Sequence, residues 1–389
     1  MKHWLLILLP LLAHAANIER LDGSKISTIE AEAFARKTLE EAKVAGAQLA
    51  VINNGKLAWS MAFGIRTLEP KQPMQTTTAI WAASITKGVF ASYVMQLAAR
   101  GEIQLDKPIA PQFPKPLNEF EPYKLTAEEL VKDPQWQLVT PRMLLSHTSG
   151  LHNFAFLEPD KKMHLHFKPG TSFLYSGEAI NIVQFYIEQQ KQKPLDQLMQ
   201  EALFTPLGMN QSGIIFQKKM EPNIADRFNA SGAFISQTRR FPARAAGSLT
   251  TSVEDLARYT EAILNGKVLT AASRKDMLRP VLMLKSLHQF PVEANEPEGK
   301  EGPAVGLAYA TGWGVLTKTK FGPAFFKEGH GDGAQNYMIC FTRSKSCMIL
   351  LTNSDNGELA FRPLLEKILG NTVTPWEWEG YTPSRRQSN

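Results

Sequence analysis

Cysteine is scarce in this 389-residue chain, which has only Cys340 and Cys347. That excludes a disulfide-framework domain and a four-thiolate zinc site. Long hydrophobic runs are also missing. The apolar run near the start is far shorter than the ~20 residues a membrane-spanning helix needs, and no later stretch approaches that length. Charge of one sign is nowhere concentrated. Lys and Arg number 43 and Asp and Glu 37, scattered through the chain for a net charge of +6, so no nucleic-acid partner is expected. Internal repeats and low-complexity tracts are absent, which excludes a repeat array. Metal-ligand spacing is thin as well. His164-Leu165-His166 would share one face of a strand, with His147 and His152 upstream, but no third ligand follows by spacing. No metal and no other cofactor is expected.

What is present is a 43% hydrophobic, 21% charged composition, enough for one large core or two abutting ones. The chain opens with Lys2 before a short apolar run that ends on Ala13-His14-Ala15, the pattern of a cleavable secretory leader over residues 1–15. A soluble monomer, secreted or periplasmic, is therefore expected. In an oxidising compartment Cys340 and Cys347 either bridge a hairpin or remain two thiols, because only some hairpin registers satisfy disulfide geometry.

Strand signals sit at both ends. Residues 48–52, the turn Asn53-Asn54-Gly55 and residues 56–63 read as a hairpin, and residues 337–341 with 347–351 read as another. A helical run is expected at 27–45 and a short one at 363–369, with Pro363 in its first turn. Between the ends, residues 88–100, 180–190, 195–203 and 253–264 read as helices separated by Pro- and Gly-containing loops. The expected fold is α/β (α+β): an antiparallel sheet from both chain ends flanked by helices, with a mostly helical insertion. Residues 16–83 with 245–375 would form the sheet part and 84–244 the helical part, with the site at their junction.

One segment carries the chemistry. Ser84-Ile85-Thr86-Lys87 opens a helical run, and a spacing of three sets Ser84 and Lys87 one turn apart on one face. A serine hydroxyl needs an adjacent base, and a lysine serves as one when burial or neighbouring charge disfavours its ammonium form.

In context, this segment resembles the first motif of the β-lactamase and penicillin-binding-protein family of serine hydrolases. The branch is the class C one, which holds class C β-lactamases, D-alanyl-D-alanine carboxypeptidases, D-aminopeptidases and several esterases. Similar to that branch are Leu97-Ala98-Ala99-Arg100-Gly101 through Pro108, Thr140-Pro141-Arg142-Met143-Leu144-Leu145-Ser146-His147-Thr148-Ser149-Gly150-Leu151, Pro169-Gly170-Thr171 through Gly177, Pro206-Leu207-Gly208-Met209, and Ala245-Ala246-Gly247-Ser248-Leu249. The resemblance implies a β-lactamase/transpeptidase-like fold and an acyl-enzyme on Ser84. It makes Lys87 and Tyr175 the proton-transfer pair. Glu328-Gly329-His330-Gly331-Asp332-Gly333 looks like the third motif, Lys-Thr-Gly or His-x-Gly, which would make His330 the polar or positive group beside the substrate and Gly333 the oxyanion donor that partners Ser84.

Two positions leave the pattern. Gly177 stands where the family has Asn, so an amide expected to bind substrate is missing. Asp332 stands where Gly is expected, bringing a carboxylate to the site if it points inward. Replacing both with the family residues would then favour penicillins. The implied function is hydrolysis of β-lactams or related D-amino peptides. The alternatives are a carboxylesterase of the same fold and a penicillin-binding sensor that is acylated without turnover.

Overall fold

The structure, a computed structural model, describes residues 16–290 and 296–381. The leader expected at 1–15 lies outside them. Nine strands form one sheet: β1 (Gly46–Asn53), β2 (Lys56–Thr67), β3 (Gln72–Pro73), β4 (Leu282–Met283), β5 (Leu307–Tyr309), β6 (Gly314–Leu316), β7 (Ala324–Gly331), β8 (Ala334–Phe341) and β9 (Ser346–Thr352). Their spatial order is β4-β5-β6-β7-β8-β9-β1-β2-β3, antiparallel throughout. The sheet expected from both chain ends is closed by β9 against β1, where Cys347 faces Ile52 and Thr352 faces Ala47.

Alternation along the central strands buries both faces of this sheet. Leu49, Val51, Met348 and Leu350 join the cluster under helix α1 (Thr28–Glu41) and the C-terminal helices. Ala50, Ile52, Ile349 and Leu351 join the cluster that runs into the helical half. The two halves of the chain thus share a core. Asn54 and Gly55, both at positive φ, make the two-residue turn between β1 and β2. Cys340 and Cys347 are register partners joined by a disulfide.

Helix α2 (Ile85–Ala99) has apolar residues on every side and is buried over nearly all of its length, which fits its place between the sheet and the other helices. Helix α3 (Gly177–Lys191) is capped by Ser176, whose Oγ accepts from Ala179 N at 3.0 Å. Helix α4 (Val253–Leu264) packs on β1, β2 and β9, and buried Gln48 of β1 accepts its first N–H at 2.8 Å. The C-terminal helical run differs from expectation. It starts at Glu358 as α5 (Glu358–Leu364), which places Pro363 inside it, and continues as a wider turn over Leu365–Leu369. Proline removes an intrahelical donor, so loosening after it is the expected accommodation.

Two small features aim the start of α2. Ile80–Trp81 pairs with Thr250–Thr251, which draws the stretch before α2 against residues 246–249. Gly88 lets α2 lie directly on Trp313, because a Cβ there would stand 2.4 Å from the indole. Gly88→Ala should therefore lower stability by about 1–3 kcal/mol through overpacking, seen as a reduced Tm in thermal unfolding. An unchanged Tm would show that this contact has slack.

Candidate active site

Ser84 stands at the N-cap of α2, directly after Ala83 at φ +45°. A non-glycine residue in that region is strained, and strain before a nucleophile is a device for presenting it sharply. Lys87 is 2% exposed. Its Nζ lies 2.9 Å from Ser84 Oγ and donates to Ala246 O at 2.6 Å. Burial, then the charge of Lys327, holds the Lys87 amine well below the usual lysine range, against a weaker upward pull from Glu328. A neutral amine with one N–H on Ala246 O has its lone pair free for the serine proton.

Tyr175 closes the far side. Its hydroxyl accepts from Lys327 Nζ at 3.2 Å, and both Lys87 and Lys327 lie against its ring, at 4.9 and 5.0 Å from the centroid. Burial and the nearby Glu328 carboxylate push the phenol well above its ordinary range. Tyr175 is therefore a phenol that can donate, and Lys87 is the acceptor. Behind it His147, at φ +59°, stacks with ring centroids 4.2 Å apart and accepts from Ser176 N through Nδ1. Burial and the two lysines hold His147 well below the usual histidine range, which makes it a neutral support.

The stretch read as the third motif carries a second cation. Lys327, three residues before His330, is the fully buried cation that reaches Tyr175, and its ammonium is paired with Glu328. Burial pushes the Glu328 carboxyl up, but Lys327 overrides this and keeps it ionised below the usual range. Lys327-Glu328-Gly329 thus sets a Lys-x-Gly triplet on the same strand, directly before His330. Gly329 fits that place, since a Cβ there would lie 2.2 Å from Ala82 O and 3.2 Å from Ser84 N. His330 lines the same cleft as Ser84, but its imidazole is held by Tyr381 at 2.9 Å and Glu358 at 2.8 Å.

Gly333 does not reach the site. Asp332 and Gly333 form the two-residue turn between β7 and β8, and the Gly333 N–H is spent on Asp355. Asp332 is exposed at that tip beside Arg227, outside the cleft lining. The turn also shows which amide does face Ser84. In a hairpin closed by the Gly331/Ala334 pair, hydrogen-bonded and non-bonded pairs alternate, so His330/Gln335 is non-bonded. Gln335 confirms this by bonding β9 instead, through Thr352 Oγ1. The His330 N–H therefore points to the opposite edge, which β6 leaves uncovered beyond Phe326. With Ser84 N it can form the oxyanion hole.

Gly177 has no room for a side chain. A Cβ there would lie 2.6 Å from the Phe154 ring and 3.1 Å from Asn153 Oδ1, so Gly177→Asn would displace both. The expected gain on penicillins from the Gly177 and Asp332 replacements therefore has no structural basis. Asn153 occupies the space instead. It lines the cleft, and its Oδ1 accepts from Gly177 N at 2.8 Å. An amide is present after all, delivered by a loop 24 residues earlier in the chain.

His164 and His166 are occupied elsewhere, by Asp160 at 2.9 Å and Glu158 at 2.6 Å. Among the described residues no three His, Cys, Asp or Glu side chains converge on one point. The cleft over Ser84 measures about 380 Å³ and is walled by Trp81, Phe154, Arg240, Arg244, Phe290 and Glu328.

Comparison with known proteins agrees with this geometry. The family model described as Beta-lactamase matches residues 31–369. The chain is 28% identical over 221 residues to Esterase EstB of Burkholderia gladioli, covering 50% of this chain and 53% of that protein. It is 26% identical over 238 residues to the Beta-lactamase of Escherichia coli (strain K12), covering 58% of each. It thus spans between half and two thirds of these curated relatives. Among solved structures, an octameric penicillin-binding protein homologue from Pyrococcus abyssi superposes with a TM-score of 0.69 at 21% identity, over 88% of this chain and 79% of that one, which shows the shared fold.

The charges around Lys87 make a signed prediction. Acylation needs the neutral amine, so its rate should rise with pH through an apparent pKa well below that of free lysine. Glu328→Gln removes the anion that favours the ammonium and should move this limb to lower pH. Lys327→Met removes the opposing cation and should move it to higher pH. Stopped-flow acylation profiles read both, and limbs that stay in place would disconnect the pair from Lys87.

Proposed function

This chain belongs to the Beta-lactamase family, and on that premise we propose that it is a serine hydrolase forming its acyl-enzyme on Ser84 and preferring carboxylic esters to β-lactams or D-amino peptides. The observation that carries the preference is the Glu328 carboxylate paired with Lys327 beside Tyr175. A penicillin, or a peptide with a free C-terminus, carries its carboxylate on the leaving-group side of the scissile amide. In this cleft that side belongs to the proton donor Tyr175, where Glu328 offsets the Lys327 ammonium. An alcohol leaving group carries no such charge. The name of the Burkholderia gladioli esterase agrees with this choice.

The steps follow from the groups in place. Ser84 Oγ attacks the ester carbonyl carbon while Lys87 takes its proton, and the carbonyl oxygen gathers charge against the N–H groups of Ser84 and His330. Collapse breaks the bond to the leaving oxygen, which takes a proton through the Lys87–Tyr175 pair and departs as an alcohol. Water then adds to the acyl-enzyme by the same route, releasing the acid and restoring Ser84. No step calls for a cofactor. We also place the protein in an oxidising compartment, a reading supported by the Cys340–Cys347 disulfide.

Purified protein should hydrolyse p-nitrophenyl butyrate with a kcat/KM about a hundredfold above that for benzylpenicillin, the size expected when a charged contact is lost. Ser84→Ala should abolish both activities and labelling by a fluorophosphonate. Faster penicillin hydrolysis would sink the ester preference. A single stoichiometric burst on every substrate would instead support the sensor reading.

A further inference from the structure

The opposite wall of the cleft gathers positive charge, with Arg240 and Arg244 lining it. Trp81, three residues before Ser84, has two guanidinium groups against its ring, Arg240 at 4.1 Å and Arg227 at 5.1 Å from the centroid. Arg227 is committed to the fold, since it donates to Asp332 O and Ser236 Oγ and braces the β7–β8 turn. Arg240 is not. Its Nε is buried without a hydrogen-bond partner, and among the described residues no carboxylate pairs with Arg240 or with Arg244. Burial, then the charges of Arg227 and Arg244, lowers the pKa of Arg240 from its ordinary value. Asp332 and Asp355 act on Arg227 and Glu178 on Arg244 from a distance, but among the described residues neither Arg240 nor Arg244 has a carboxylate in direct contact, and gathering like charges costs free energy.

The backbone that carries Arg244 is tightly bonded. Arg244 opens a tight turn in which its C=O accepts from Gly247 N and Ser248 N, and its own N–H donates to Ser248 Oγ at 3.1 Å. The turn is pinned to α3, with Ala245 N on Gln184 Oε1 at 2.7 Å and Ala246 N on Asn181 Oδ1 at 3.2 Å. Ala246 is the residue whose carbonyl holds Lys87, and Trp81 Nε1 donates to Gly247 O at 2.5 Å. One short segment therefore fixes the base, the indole and the backbone at Arg244 relative to Ser84.

We propose that Arg240 and Arg244 form a subsite for an anionic group, a carboxylate, on the acyl part of the substrate, so that this hydrolase prefers half-esters of dicarboxylic acids. The proposal rests on the ester reading above and narrows it. The acyl part is indicated because the leaving group lies by Tyr175, where Glu328 would repel a second negative charge. Arginine suits the task, since its planar fork pairs with a carboxylate through two N–H groups, and stacking on Trp81 pre-orients it.

The test compares mono-p-nitrophenyl glutarate with p-nitrophenyl valerate, a chain of equal length without the charge. The ratio of their kcat/KM values should favour the half-ester by about tenfold or more at low salt, and should shrink as salt screens the pairing. Arg240→Gln with Arg244→Gln should bring that ratio down by about tenfold, and Arg240→Lys should recover part of it. A ratio near one, or one the double variant leaves in place, overturns the proposal. Should neither ester be hydrolysed, the ester reading fails by itself, and binding of monomethyl glutarate to Ser84→Ala protein then decides the subsite. Calorimetric binding that weakens in the Arg240→Gln, Arg244→Gln background supports it, and no binding overturns it.

Discussion

A lysine amine held out of water between a serine hydroxyl and a backbone carbonyl is the constraint on which the rest of this molecule depends. Lys87 can take a proton only while it is neutral, and burial along α2 together with the charge of Lys327 nearby favours that form. Removing that burial would return an ordinary ammonium. The sheet, α2 and the Ala245–Ser248 turn can therefore be understood as the frame that keeps one amine dry and 2.9 Å from Ser84.

The same frame sets charge along the cleft. At the Tyr175 end, Lys327 and Glu328 cancel each other almost entirely within the protein, and the lysine serves proton transfer more than substrate capture. At the Trp81 end, guanidinium groups stand without carboxylate partners among the described residues. Tuning of the base and selection among substrates are thus separated in space. A change to Glu328 touches both, because its carboxylate acts on Lys87 and on the leaving group, whereas Arg240 and Arg244 lie on the selecting side.

How much of this was legible in the sequence depended on whether the signal was local. Ser84 and Lys87 were readable because a spacing of three on a helix is geometry in itself. The hairpins at Asn54-Gly55 and at Cys340 and Cys347 were readable from turn residues between β-prone runs, and the pairing of the cysteines only from their register. The third-motif stretch is ambiguous in sequence because Lys327-Glu328-Gly329 and His330-Gly331-Asp332 follow each other, with Lys327 reaching Tyr175 and His330 lining the cleft. Only the position of the turn separates them. Asp332-Gly333 before another β-prone run is itself a hairpin signal, and reading it would have moved Gly333 from the oxyanion hole to the strand's end. Asn153 had no comparable signal. Its place depends on a loop docking on the start of α3, with Ser176 Oγ on His152 O and Glu178 N on Asn153 O, and tertiary contacts of that kind leave no periodicity. The arginines were hidden for the same reason, since Trp81, Arg240 and Arg244 meet only after the Ile80–Trp81 ladder forms.

The protonation state of Lys87 is the quantity that everything above turns on, and it can be observed without any substrate. In protein labelled with 15N-lysine, the Nζ resonance of Lys87, assigned by its loss in Lys87→Met, reports amine or ammonium directly. A neutral amine at neutral pH, titrating well below the other lysines, is the expected result. An ammonium that titrates together with the surface lysines would contradict the role given to Lys87 and, with it, the mechanism built on Ser84.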